Sequence, residues 1–283
     1  MTAHARVGVS GWRYAGWRGD FYPRGLVQRR ELEYIGQHMS SAEINGSFYS
    51  LQRPTSYVRW RDSVPDRFVF AVKGPRYVTH MLRLRSAGTA LANFFASGPL
   101  ALGAKLGPIL WQLPARHPFE PEVLDAFLAS LPRTTGEALE IARGHDSRFE
   151  GRTWLEIDAD RPLRHSIEPR SATFADPDFA ALLRERDVSL TIADTADTFP
   201  MFDEITSDHV YVRLHGSREL YASGYTGDEL DDWARRIRSW TDGSGCPDGV
   251  PRDVYVYFDN DARGRAPHDA VALESRLTGV AIG

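Results

Sequence analysis

Cysteine is nearly missing: Cys246 is the only one in 283 residues. A single cysteine closes no internal disulfide and builds no thiolate metal cluster, so a reducing, cytoplasmic setting is the default expectation. No run approaches the ~18–20 uncharged apolar residues of a membrane span. The opening Met1–Ser10 lacks the apolar core of a signal peptide and leads directly into strand-like sequence. There is no Walker loop, no G-x-G-x-x-G after the first strand, no H-E-x-x-H and no G-x-S-x-G. Gly8-Val-Ser-Gly11 lacks the final-glycine spacing of a nucleophile elbow. A nucleotide-driven reaction is therefore not expected. Lysine is scarce too: all but two of the 34 basic residues are arginine, and the exceptions are Lys73 and Lys105.

What is present describes a globule. Hydrophobic residues make up 42% and charged residues 25% of the chain, enough apolar content for a sizeable core and too much for wholesale disorder. The net charge is −4, unevenly spread. Residues 1–90 carry 14 basic against 6 acidic side chains, and the remainder 20 against 32. Such asymmetry can mark an anionic partner, or can simply intermix on a folded surface.

Short β-branched runs alternate with segments of helical period. Strands are expected at 7–11, 42–45, 68–73, 108–112, 164–170, 189–194, 210–215 and 254–260. Helices are expected at 31–39, 55–62, 87–96, 122–131, 177–186, 228–240 and 267–277. Thr226–Glu229 reads as a capping box, and Asp176-Pro177 and Ala266-Pro267 place proline near a first turn. Eight strands alternating with helices in one domain predict a (β/α)8 TIM barrel of the α/β class, with a doubly wound open sheet as runner-up. A long insertion is expected at 132–163, helical over 134–143, and residues 195–209 are too proline-interrupted for a full helix.

Strand ends carry the polar residues. Glu43-x-Asn45, Glu168-x-Arg170, Arg213-x-His215 and Phe258-x-Asn260 place pairs two apart, the spacing of one strand face, and Lys73, Gln112 and Asp194 close three further strands. In a barrel these converge on one pocket at the C-terminal mouth. Glu43, Glu168 and His215 are candidate proton carriers, and Lys73 is a candidate compact cation or nucleophile. A charged Lys73 holding an anionic oxygen is preferred over a Schiff-base role. Arg170 and Arg213 offer forks for oxyanions. Trp12 and Tyr14 after strand one, with Tyr221 and Tyr225 after strand seven, can stack a sugar or base, or form a satellite core. Glu43, Glu168, Asp194 and His215 would suit a divalent metal, but nearby cations compete for the same carboxylates, so a metal is not favoured. Ion pairing between Glu43 and Arg213 or Glu168 and Arg170, and loop capping by Asn45 and Asn260, are the structural alternatives.

Taken together, Gly8-Val-Ser-Gly-Trp12-x-Tyr14-x-x-Trp17-x-Gly19-x-Phe21-Tyr22-Pro23, Ala42-Glu43-Ile44-Asn45-x-x-Phe48-Tyr49, Phe70-Ala71-Val72-Lys73 with Thr79-His80, Leu110-Trp-Gln112-Leu113-Pro114, Val212-Arg213-Leu-His215-Gly216 and Tyr257-Phe258-x-Asn260-Asp261 resemble the blocks of the YecE-like family, the domain of unknown function numbered seventy-two. The resemblance spans nearly the whole chain and implies a TIM barrel without an established activity. It also implies departures. The family's strand-five Glu-Phe-Arg-His and following Ser-Trp become Glu168-Pro169-Arg170-Ser171, without the histidine or tryptophan. Asp259, where asparagine is more usual, is expected one position off the inward face. The leading functional expectation is an enzyme binding a small phosphorylated or sugar-like anion. The alternatives are a nucleic-acid repair or processing factor, with weak, salt-sensitive binding, and a non-catalytic ligand-binding protein. No membrane partner is expected.

Overall fold

The computed structural model describes residues 3–279. Its eight strands are β1 (Ala5–Ser10), β2 (Ser41–Ile44), β3 (Val69–Lys73), β4 (Leu106–Gln112), β5 (His165–Glu168), β6 (Ser189–Asp194), β7 (His209–Leu214) and β8 (Asp253–Phe258). They close in sequence order into a parallel barrel, the α/β TIM-barrel architecture. The helices are α1 (Glu31–His38), α2 (Gly46–Tyr49), α3 (Pro54–Asp62), α4 (Gly88–Ala96), α5 (Pro121–Ala129), α6 (Thr135–Arg143), α7 (Pro177–Glu185), α8 (Gly227–Asp242) and α9 (Ala266–Thr278). The 132–163 stretch holds α6 and a single 3-10 turn, Ser147–Phe149. Residues 195–208 hold no helix. Among the described residues no helix is long and apolar enough to cross a membrane.

The chain divides into two compact units, one of residues 1–43 and 189–283 and the other of residues 44–188. In the first, β1 pairs with β8, β8 with β7 and β7 with β6, all parallel, and β1 also pairs with β2. Val7, Val9, Ile192, Val210, Val212, Val254 and Val256 are buried, as expected for β-branched residues in strands covered on both faces. Helix α8 shows how local signals set an element here. Thr226 Oγ1 accepts from Glu229 N, and the Glu229 carboxylate accepts from Thr226 N at 2.6 Å, the reciprocal capping box. Leu230, Trp233, Ala234, Ile237 and Trp240 fall on one stripe and are buried. Gly243 ends the helix at φ 86°, a left-handed value that glycine adopts without a Cβ penalty.

In the second unit, β3 pairs with β4 and β4 with β5. Trp111 is fully buried against Phe94 and Phe127. Gly74, just past β3, is set by this packing: a Cβ there would lie 2.4 Å from ring carbons of Trp111. Asp176 caps α7 by accepting from Asp178 N, with Pro177 in the first turn, where its missing N–H costs nothing. Lys105 explains one of the two lysines. Its ammonium donates to the carbonyls of Arg61 and Val64 at 2.8 and 2.7 Å in a buried niche, which suits a compact point charge and not a planar fork.

Candidate functional site

In the unit formed by residues 1–43 and 189–283, a buried charged cluster gathers at the C-terminal ends of β1, β2, β7 and β8. Arg213 is fully buried, and its Nη2 reaches Ser10 Oγ at 2.8 Å, Glu43 Oε1 at 2.9 Å and Asp259 Oδ2 at 3.0 Å. Glu43, equally buried, also accepts from the Ser10 hydroxyl at Oε1 and from Tyr211 at Oε2, the latter at 2.6 Å. Burial, followed by the Glu43 charge, drives the Tyr211 phenol well above its ordinary range. His215 Nδ1 lies 3.1 Å from Asp259 Oδ2, and its Nε2 lies 3.4 Å from Arg213 Nη1. Two carboxylates set around one buried guanidinium, each at hydrogen-bond distance, satisfy the condition for burying charge.

Beside this cluster stands Asp261. Its Oδ1 is buried and has no hydrogen-bond partner among the described residues. Burial, reinforced by the neighbouring Asp259 charge, pushes its carboxyl from 3.8 to about 7. Tyr14 donates to the Ser10 carbonyl at 2.7 Å, and its own phenol is raised by burial and by Asp261.

The other predicted residues of this unit have different surroundings. Asn260 is fully buried and donates through Nδ2 to Ser223 O and Asp269 Oδ2 at 2.9 and 2.8 Å, tying the 216–225 loop to α9. The alternation that sets Asn260 inward and Asp259 aside ends with β8 at Phe258, and it is Asp259 that joins Arg213 and His215. Asp194 accepts from Tyr225 OH at 3.0 Å, and burial raises its carboxyl. The pair faces a cavity of about 380 Å³ walled by Phe199, Met201 and Trp233. Tyr221 packs edge-on to the His215 ring at 5.2 Å. Trp12 is 6% exposed and its carbonyl accepts from Tyr22 OH, while Trp17 is 1% exposed. The aromatics after β1 thus belong largely to a packed satellite core.

In the unit of residues 44–188, a second group forms at the ends of β3, β4 and β5. Arg170 donates through Nε to Glu168 Oε1 at 2.8 Å, with Glu168 fully buried. Lys73, 8% exposed, places Nζ 4.4 Å over the Phe48 ring, a cation–π contact. Gln112 turns its amide onto the Leu113 carbonyl. Asn45 sits at the N-terminus of α2, where its carbonyl accepts from Phe48 N. His80 is absent from the strand-end candidates because it lies seven residues past β3, in a π turn over Tyr77–Met81. Its ring stands edge-on to Phe48 at 5.2 Å, and its Nδ1 is 2.9 Å from Thr79 Oγ1. Burial, then Lys73, Arg170, Arg76 and His117, hold the imidazole below its ordinary range. The Thr79-His80 dipeptide is the available signal, but only the turn conformation brings it back to Lys73.

The four residues suited by type to a divalent ion have separate engagements: Glu43 with Arg213, Ser10 and Tyr211, Glu168 with Arg170, Asp194 with Tyr225, and His215 with Asp259. Among the described residues no group of three or more His, Cys, Asp or Glu side chains is placed to hold a metal ion.

Comparison with known proteins accords with this fold. The chain is 30% identical over 247 residues to UPF0759 protein YecE of Escherichia coli K12, covering 83% of this chain and 81% of that one. It is 23% identical over 294 residues to UPF0759 protein YunF of Bacillus subtilis, covering 92% and 90%. A crystal structure of a DUF72 family protein from Thermotoga maritima superposes with a TM-score of 0.74 at 22% identity, over 97% of this chain and 99% of that one. A DUF72 family protein from Enterococcus faecalis gives 0.68 at 17% identity, over 97% and 95%. The profile of the family described as "Protein of unknown function DUF72" matches residues 6–281, and with this barrel and these relatives the chain belongs to the DUF72 family.

Proposed function

We propose that the chain is an enzyme acting on a small anionic substrate, phosphorylated or sugar-like, held by Lys73 and Arg170 at the C-terminal ends of β3 and β5. The observation that carries this reading is the gathering of basic side chains at these strand ends, with the Lys73 ammonium 4.4 Å over the Phe48 ring, His80 edge-on to the same ring, and the Arg170 guanidinium seated on Glu168 at 2.8 Å. Such a gathering attracts oxyanions, and the Arg170 fork and the Lys73 ammonium offer complementary geometries for them. Strand C-termini are also where TIM-barrel enzymes place their ligand contacts. Glu168, bonded to Arg170, is the proton carrier assigned within this group. Glu43 and His215, the other two proton-carrier candidates, belong to the unit of residues 1–43 and 189–283, where burial raises the neighbouring Asp261 carboxyl to about 7.

The test is ligand discovery followed by substitution. Native mass spectrometry of the purified chain, and calorimetric titration with a panel of sugar phosphates, should reveal an anionic ligand. Lys73→Met should abolish its binding and Lys73→Arg should weaken it, with stability within about 1 kcal/mol of wild type. A loss of ~3–5 kcal/mol would mark a buried structural ion pair instead. Borohydride trapping of a carbonyl compound on Lys73 would replace ion holding with covalent chemistry.

A further inference from the structure

We propose that His80 is a proton-linked anion contact: its Nε2 edge takes an oxygen of a phosphate- or sulfate-type dianion, and the ring binds a proton as the anion enters. The inference rests on the anion-binding reading above and deepens it, adding a residue and a pH dependence.

Geometry is the first support. Thr79 is fully buried, and its Oγ1 lies 2.9 Å from His80 Nδ1, which anchors that edge of the ring. No described residue hydrogen-bonds His80 Nε2, and the residue is only half-buried, so that nitrogen is open to a ligand. Lys73 and His80 share one aromatic platform, with Nζ over the Phe48 face and the imidazole against the same ring at 83°.

The backbone is the second support. The π turn at Tyr77–Met81 is followed by three non-glycine residues at left-handed φ: Arg83 at 53°, Leu84 at 68° and Ser86 at 49°. Such conformations cost on the order of 1–3 kcal/mol each and concentrate at functional sites. Here they follow His80, and Leu84 N donates to the Val78 carbonyl at 3.0 Å to close the turn that holds it.

Charge supplies the coupling. The groups acting on the ring are Lys73 from β3, Arg76 from the same turn, His117 from the loop after β4, and Arg170 from the loop after β5. Empty, this surround disfavours a further positive charge on His80. A dianion among the same groups reverses the local field and favours the imidazolium. Affinity and proton uptake are then reciprocally linked, and the anion binds more tightly to the protonated ring.

Sulfate is the appropriate probe, because it does not titrate between pH 5 and 8 and any pH dependence belongs to the protein. Calorimetric titration of the full chain should show sulfate affinity falling as pH rises, with a limiting slope of about tenfold per pH unit for one linked proton. His80→Gln keeps an amide donor without titrating, so its profile should be flat. His117→Gln should retain the slope. Ring C–H resonances should show the His80 midpoint moving upward at saturating sulfate, a measurement on the wild-type chain that does not depend on how a variant folds. A pH slope that survives in His80→Gln, or a His80 midpoint unmoved by bound sulfate, overturns the inference while leaving the anion site standing. Absence of sulfate binding at every pH overturns both readings.

Discussion

Replacing Asp261 by asparagine tests the electrostatics at the end of β8. The carboxyl is raised from 3.8 to about 7 by burial and by the neighbouring Asp259 charge. The folded chain therefore holds a proton on Asp261 at pH values where the unfolded chain has released it. The corresponding stability is present in full below about pH 3.8 and is lost as pH rises towards 7. Between pH 5 and pH 8 the linkage relation gives a loss of ~2.7 kcal/mol at ~1.36 kcal/mol per pKa unit. Solvent reaches part of this carboxyl, and screening reduces the expected loss to about half, ~1.3 kcal/mol. An asparagine side chain at this position would imitate the protonated form at all pH values. Urea unfolding of both proteins at pH 5 and pH 8 is the assay, read as the difference between wild type and Asp261→Asn so that all other titrations cancel. The variant should gain on wild type by about 1 kcal/mol across that interval. An unchanged difference, or a wild type that gains with rising pH, refutes the reasoning.

Three further outcomes are expected. Arg213→Met strands the fully buried Glu43 carboxylate and should destabilise the fold by ~3–5 kcal/mol in urea unfolding; the double variant with Glu43→Gln should recover part of it, and a single-variant loss under about 1 kcal/mol would contradict the buried cluster. Gly74→Ala drives a Cβ into the Trp111 ring and should lower the thermal midpoint through ~1–3 kcal/mol of overpacking, whereas an unchanged midpoint would count against that contact. DNA binding, single-stranded or duplex, should be weak and fall steeply with salt given a net charge of −4 and a basic segment at 1–90; sub-micromolar, salt-insensitive affinity would contradict phosphate-dominated binding.

The order and type of the elements were legible in the residues because their signals are local. Short β-branched apolar runs became β1 to β8, and the segment between β6 and β7, expected at 195–209 to be too proline-interrupted for a full helix, holds none. Thr226 and Glu229 lie three residues apart and cap each other whatever surrounds them, so the start of α8 needed no tertiary knowledge. The ion pairs Glu43–Arg213 and Glu168–Arg170, which the sequence offered as a structural alternative for these strand-end residues, both form. Where strands end, that logic lapses. Alternation favoured Asn260 and set Asp259 aside, yet past Phe258 the chain turns, and Asp259 reaches Arg213 while Asn260 ties a loop. His80 lies seven residues from its strand, in a π turn that sets its ring against Phe48. Lys73 and Lys105 looked alike in composition; the carbonyls of Arg61 and Val64, 41 to 44 residues away along the chain, make Lys105 structural. Local periodicity and capping act over one or two turns and are written in neighbouring residues, whereas the partners of a buried charge are chosen by packing between distant segments, and that only the folded chain decides.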